Sequence, residues 1–180
     1  MFASPDAKRV FDATNAALGA ARMFNRKLAP LRHSLLHRHA MIDHLLCASG
    51  YRHVIELAAG FSRRGAAATS DVHMHYTELD LPHVVKRKRQ LLGRTDEGRA
   101  VLARTGLRLV EGDVETVALE PFVRRGESVF VIAEGLMMYL GADARRGLFA
   151  KVRQLAAITG ELRFVFDLTP TDEEPAPGIV

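Results

Sequence analysis

Two rhythms of hydrophobic positions divide the chain. Across residues 30–50, Leu31, Leu35, Ile42 and Leu45/Leu46 recur at helical spacing, and Gly50 suits the left-handed position beyond a helix end. Before them, Ser4-Pro5-Asp6 offers a capping serine, a first-turn proline and an acid at the positive end, which predicts a helix over 5–20. From residue 53 the rhythm shortens. Strand-like runs at 53–59, 75–81, 107–110, 128–133 and 161–167 alternate with helical stretches at 82–92, 97–105 and 143–157, with Gly93 and Gly160 as breaks. This alternation predicts an α/β fold: a doubly wound, mainly parallel sheet with right-handed crossovers, preceded by two N-terminal helices.

Composition fits that picture. A chain of 180 residues, 48% hydrophobic and 26% charged with no long single-sign tract, suits one folded domain of ordinary size. We expect that domain over 1–168, with helices in 1–50 and the core in 51–168. Residues 169–180, with three prolines and three acids, read as a loose tail. No apolar stretch is long enough to span a bilayer, and the first thirty residues are interrupted by charges, which predicts a cytoplasmic protein.

The net charge of +4 permits an anionic partner without requiring one. Its densest run, Lys86-Arg87-Lys88-Arg89, would spread around a helix and is expected to be a solvated face. The single Cys47 excludes an intrachain disulfide and a multi-cysteine zinc site, and its apolar neighbours predict a buried packing thiol. His33, His37 and His44 share a helix side, but no acid or cysteine completes a ligand set, so surface histidines and no metal are expected.

In such sheets the ligand lies beyond the carboxyl ends of the strands. An acid closes every predicted strand: Glu56 before Gly60, Glu78 and Asp80, Asp113 before Val114, Glu134 before Gly135, and Asp167. Asp80 stands 20 residues after Gly60, the spacing of an acid that accepts hydrogen bonds from an adenosine ribose. Nicotinamide dinucleotides and S-adenosylmethionine both carry that ribose. The turn Ala58-Ala59-Gly60-Phe61-Ser62 lacks the G-x-G-x-x-G needed to cradle a pyrophosphate, whereas adenosylmethionine has no phosphate. Its carboxylate suits an arginine beside the turn, and its ammonium and ribose suit acids.

The segments "VIELAAGFSRRG", "YTELDLPHVVKRKRQLL", "EGDV" and "VIAEGLMMYL", in this order, resemble the leucine carboxyl methyltransferase-like family. That class I adenosylmethionine-dependent group includes bacterial O-methyltransferases associated with polyketide biosynthesis. The resemblance covers residues 34–168 and implies S-adenosyl-L-methionine as cofactor. It implies a cofactor turn formed by Glu56, Ala58 and Gly60, with Arg64 at the position of the arginine in the family's "GFDTR"-like motif. Asp80 would hold the ribose hydroxyls, Asp113 and the backbone of Val114 would face the adenine, and Glu134 would lie near the methionine head. Arg38, in "SLLHRHAMID", could pair with the cofactor carboxylate, while the family's second arginine there is replaced by Ala40. Whether Arg63, Arg64 or neither meets that carboxylate stays open.

The expected activity is O-methylation of a small-molecule carboxyl or hydroxyl group. A carboxylate acceptor is already ionised near neutral pH and needs no base; for a hydroxyl the sequence nominates none. The alternative is a catalytically silent cofactor-binding or regulatory module. A nucleic-acid acceptor is disfavoured because the fourth strand ends in Glu134-Gly135-Leu136 instead of an Asp/Asn-Pro-Pro-aromatic motif, and no membrane partner is expected. The resemblance also implies a sheet lacking the usual last two strands. Residues 161–167 would then be an apolar edge that favours a homodimer.

Overall fold

The structure, a computed structural model, describes residues 28–168, with side chains from residue 35 onward. The helix predicted over 5–20, the side chains of Leu31 and His33, and the tail lie outside this range. The elements are α1 (Leu28–Ser49), β1 (His53–Leu57), α2 (Arg64–Ala68), β2 (His75–Asp80), α3 (Pro82–Leu92), α4 (Asp96–Leu102), β3 (Leu107–Glu111), β4 (Val129–Ala133), α5 (Ala142–Ala156) and β5 (Leu162–Phe166). All four strand pairings are parallel, and the order is β3-β2-β1-β4-β5. The order reverses between β1 and β4. The five strands coincide with the predicted runs; the short helix α2 was not predicted.

Alternation along the strands builds two cores. Ile55, Leu57, Leu79, Val129, Val131 and Ala133 face α5, which buries Leu148, Val152 and Leu155 against them. Val54, Tyr76, Phe130 and Ile132 face the other way, onto Ile42 and Leu46 of α1. Every residue of β4 is wholly buried, as expected of a parallel strand covered on both faces.

Helix α1 corrects part of the sequence reading. Only Ile42 and Leu46 of its described apolar positions reach the core, while Leu35 and Leu45 are 43% and 39% exposed. The residues at helical spacing on the inward stripe are Arg38, His39, Ile42, Asp43 and Leu46, polar toward the strand ends and apolar below. Cys47 falls just off that stripe and is exposed, not buried. Lys88 departs from expectation in the other direction. Instead of joining a solvated face, it is 8% exposed, its ammonium paired with Glu78 and donating to the Ser62 carbonyl at 2.6 Å. Helical spacing carries residue 88 round to the sheet while Lys86, Arg87 and Arg89 stay outside.

Gly65 lets α2 lie close on β2. A Cβ there would run into the Glu78 carboxylate and approach Tyr76 Cδ1 to 2.9 Å and Leu107 Cδ1 to 3.0 Å. These neighbours are buried and cannot swing away. Gly65→Ala is therefore expected to destabilise the fold by about 1–3 kcal/mol, measured as a lowered urea midpoint; an unchanged midpoint would show that α2 can lift off the sheet without cost.

Candidate functional site

The loops after β1 and β4 leave in opposite directions at the reversal of strand order, which opens a crevice at the carboxyl ends of the strands. Arg64 opens α2 directly after the β1 turn, and its side chain is buried beneath that crevice. Its Nη1 donates to Glu56 Oε1 at 2.5 Å, its Nε to Asp43 Oδ1 at 2.5 Å, and its Nη2 to Glu134 Oε2 at 2.8 Å. One guanidinium thus joins β1, α1 and the end of β4. Burial disfavours its charge, but Glu56, Asp43 and Glu134 outweigh that, so the arginine stays protonated.

Glu56 accepts a second bond, from Tyr76 Oη at 2.8 Å. Burial pushes its carboxyl above the usual range despite Arg64 and Tyr76. Burial likewise raises Tyr76, with the Glu56 charge adding to it, so the phenol remains a donor. In register beside Glu56 stands Glu78, also raised by burial and opposed by Lys88. Two neighbouring buried acids are thus each matched by a cation from a following helix.

Arg38 occupies a second layer. Its Nε donates to Glu134 Oε1 at 3.1 Å and its Nη1 to Asp167 Oδ2 at 2.7 Å. Asp167 Oδ1 also accepts the Gly135 amide at 2.5 Å, and Gly135 has φ +68°. His39 Nδ1 lies 3.1 Å from Glu134 Oε2 and 2.9 Å from Arg64 Nη2. Two guanidiniums therefore face four carboxylates, those of Asp43, Glu56, Glu134 and Asp167. Carboxylates thus outnumber guanidiniums in the cluster, which suits a cationic group on a ligand.

The turn after β1 holds Ala58 at φ 52° and Gly60 at φ 53°, both left-handed. The Gly60 amide donates to Asp80 Oδ2 at 2.5 Å, and Asp80 Oδ1 accepts the Leu81 amide at 2.7 Å. Beside them is a cavity of about 210 Å³ whose lining includes Ala58, Asp80, Asp113, Val114, Leu136 and Leu140. Asp113 Oδ1 accepts the Glu115 amide at 2.8 Å, an Asx turn that shapes this wall. The arrangement offers an apolar slot flanked by carboxylates, next to an anionic cluster.

Of the predicted site residues, Ala58, Asp80, Asp113 and Val114 meet around the cavity, with Gly60 tied to Asp80. Arg38, Glu56, Arg64 and Glu134 meet in the ionic cluster. The Arg63 backbone precedes α2 as its cap residue. Asp43, His39 and Tyr76 were missed; the one available signal was the helical spacing of 39 and 43 with Arg38. Beyond Glu134, residues 137–139 form a single 3₁₀ turn in which Met137 packs at 1% exposure while Met138 and Tyr139 project outward. A larger cleft of about 680 Å³, near His53, His75 and Arg124, lies at the other end of the sheet. There His53 Nε2 lies 2.9 Å from Glu127 Oε2, and Arg52 pairs with Asp71 at 2.9 Å.

Sheet order, flanking helices and the crevice at the reversal define a Rossmann-like fold of the class I methyltransferase type. The chain belongs to the leucine carboxyl methyltransferase family, whose profile matches residues 2–153. Among solved structures it is similar to the glycopeptide N-methyltransferase MtfA complexed with S-adenosyl-L-methionine. That match has 26% identity and a TM-score of 0.51, and covers 73% of this chain and 54% of that one. The same protein complexed with S-adenosyl-L-homocysteine matches at 26% identity and TM-score 0.51, over 74% of this chain and 49% of that one. The chain thus spans about half the length of these structures. No curated protein sequence matches it. No described helix is long and apolar enough to cross a membrane.

Glu134 yields a pH test. Burial opposes its ionisation, but the hydrogen bond and charge of Arg64, with His39, hold it below the ordinary value of 4.5. An acid depressed in the folded state adds stability that is present above its unfolded value and lost as pH falls through the folded one. The stability gap between wild type and Glu134→Gln, read by urea unfolding, is expected to be full near neutrality and to narrow below pH 4.5. A gap that does not change with pH would show that the carboxylate charge is not what Arg64 holds.

Proposed function

We propose that the chain is an S-adenosylmethionine-dependent O-methyltransferase domain, spanning residues 1–168, that acts on a carboxyl or hydroxyl group of a small molecule. The observation that carries this reading is the pairing of an anionic cluster with an acid-flanked apolar slot, at the reversal of strand order and without a pyrophosphate cradle. Family membership supports it, as does the likeness to a methyltransferase solved with this cofactor. Adenosylmethionine, when bound, supplies an electrophilic methyl group on a sulfonium.

The protein's part is to bind and align. Asp80 uses one lone pair of each oxygen within the turn and keeps others for ribose hydroxyls. Asp113 and Val114 line the wall where a purine would lie. Glu134 and Asp167, beside Arg38, offer the ammonium carboxylate oxygens and the carboxylate a guanidinium. Arg64 is enclosed by its own acids and acts on the head group through Glu134. A carboxylate acceptor would need alignment and exclusion of water but no base.

Calorimetric titration with S-adenosylhomocysteine tests the reading, and heat with thermal stabilisation is expected. Neither effect with that ligand or with adenosylmethionine would overturn it. Asp80→Ala should weaken binding about tenfold or more, roughly one charge-assisted hydrogen bond, with the circular dichroism spectrum retained. Binding without product from carboxyl, hydroxyl or amine acceptors would favour the second reading, a silent cofactor-binding module.

The proposal extends to a homodimer through β5, which among the described residues pairs only with β4 and lies beside the exposed Phe149 of α5, in contact with Phe164 and Phe166. Light scattering across micromolar concentrations should show a dimer; a monomer throughout would remove this part. An exposed free thiol at Cys47 fits a reducing compartment, and the proposal places the protein in the cytoplasm.

A further inference from the structure

The loop after β3 forms the cavity wall that carries Asp113 and Val114, and several of its polar groups are bonded within the protein. On the amide side Asp113 is the acceptor: its carboxylate takes the Glu115 amide, and its carbonyl takes the amides of Thr116 at 3.0 Å and Val117 at 2.8 Å. On the carbonyl side three oxygens converge on one cation. Lys151 Nζ donates to Val114 O at 3.0 Å, Glu115 O at 2.6 Å and Val117 O at 2.9 Å. An ammonium has three protons and no lone pair, so three carbonyls use it fully.

Lys151 projects from α5, whose Leu148, Val152 and Leu155 are buried in the core, while Val117 packs against that same core. The position of the cation is therefore set by the core, and the loop is shaped to the cation. A guanidinium is a planar fork and cannot aim three N–H groups from one point. Salt bridging does not explain the lysine, since its bonds run to carbonyl oxygens.

We propose that Lys151 is a positioning residue for the adenine half of the ligand: a fixed internal cation that holds residues 113–117 so that Asp113 and Val114 present a preformed wall. The inference rests on the proposed function and adds to it a residue outside the cavity lining. Ligand binding then meets a wall already ordered, and the ordering cost falls on α5 packing instead of on the ligand.

The test compares wild type with Lys151→Met and Lys151→Arg. Three readouts are used: titration with S-adenosylhomocysteine, competition by adenosine and by methionine separately, and amide hydrogen exchange in the ligand-free protein. In Lys151→Met we expect adenosine and S-adenosylhomocysteine to bind tenfold or more weakly, methionine to bind as in wild type, and exchange to quicken at 114–117 while the strands stay protected. Lys151→Arg should fall between, and if Lys151→Met fails to fold it carries the same comparison. Equal losses for adenosine and methionine, with faster exchange throughout, would reduce Lys151 to a general stabiliser and overturn the proposal. Wild-type binding with unchanged adenosine affinity in the variants would overturn it alone. No binding by wild type would overturn the proposed function, and this inference with it.

Discussion

A single guanidinium holds the crevice together. Arg64 lies where two strand ends and a helix meet, and of the three carboxylates they bring to it Glu56 is buried, Glu134 mostly covered and Asp43 half-exposed. Without the cation, Glu56 would leave buried negative charge uncompensated, and breaking such a pair from one side typically costs about 3–5 kcal/mol. The demand reaches back into the chain. Arg64 must start a helix as soon as the β1 turn ends, and Gly65 must follow so that the helix can settle on Tyr76 and Glu78.

From this constraint the crevice acquires two characters. Where β1, β4 and β5 end, acids outnumber guanidiniums and the surroundings are polar. Where β2 and β3 end, Leu136 and Leu140 line a slot with Asp80 and Asp113 at its margin. A ligand with a charged head and a flat ring would span both. The two halves are held by different devices, ion pairs for the first and lysine-to-carbonyl bonds for the second, where Lys151 fixes Val114, Glu115 and Val117.

The strands were legible because their side chains report burial directly. An all-apolar run such as Val129–Ala133, wholly covered on both faces, leaves little choice of interpretation. The strand-end acids were legible for a related reason, since a parallel sheet delivers the residue after each strand to one edge. What sequence could not show was which charges point inward. Lys88 looks like its basic neighbours, and only the rotation of α3 decides that it meets Glu78. Asp43 and His39 sit on a helix whose apolar spacing suggested a plain hydrophobic stripe, yet the upper part of its inward face is ionic. The outward Cys47 follows from the same rotation. Arg64 was picked out as a member of the site, but its three carboxylate partners come from positions 21, 8 and 70 residues away. Local pattern does not encode contacts of that separation.

Ala58 adopts a left-handed backbone that an L-residue with a side chain enters at a cost of roughly 1–2 kcal/mol. Its neighbours hold it there: the Ala59 amide on the Leu79 carbonyl at 3.2 Å, and the Gly60 amide on Asp80. The turn is thus a small loaded spring clamped between β1 and β2. Any loosening of β2 lets it relax, so this alanine acts as a gauge of how tightly the first two strands are joined.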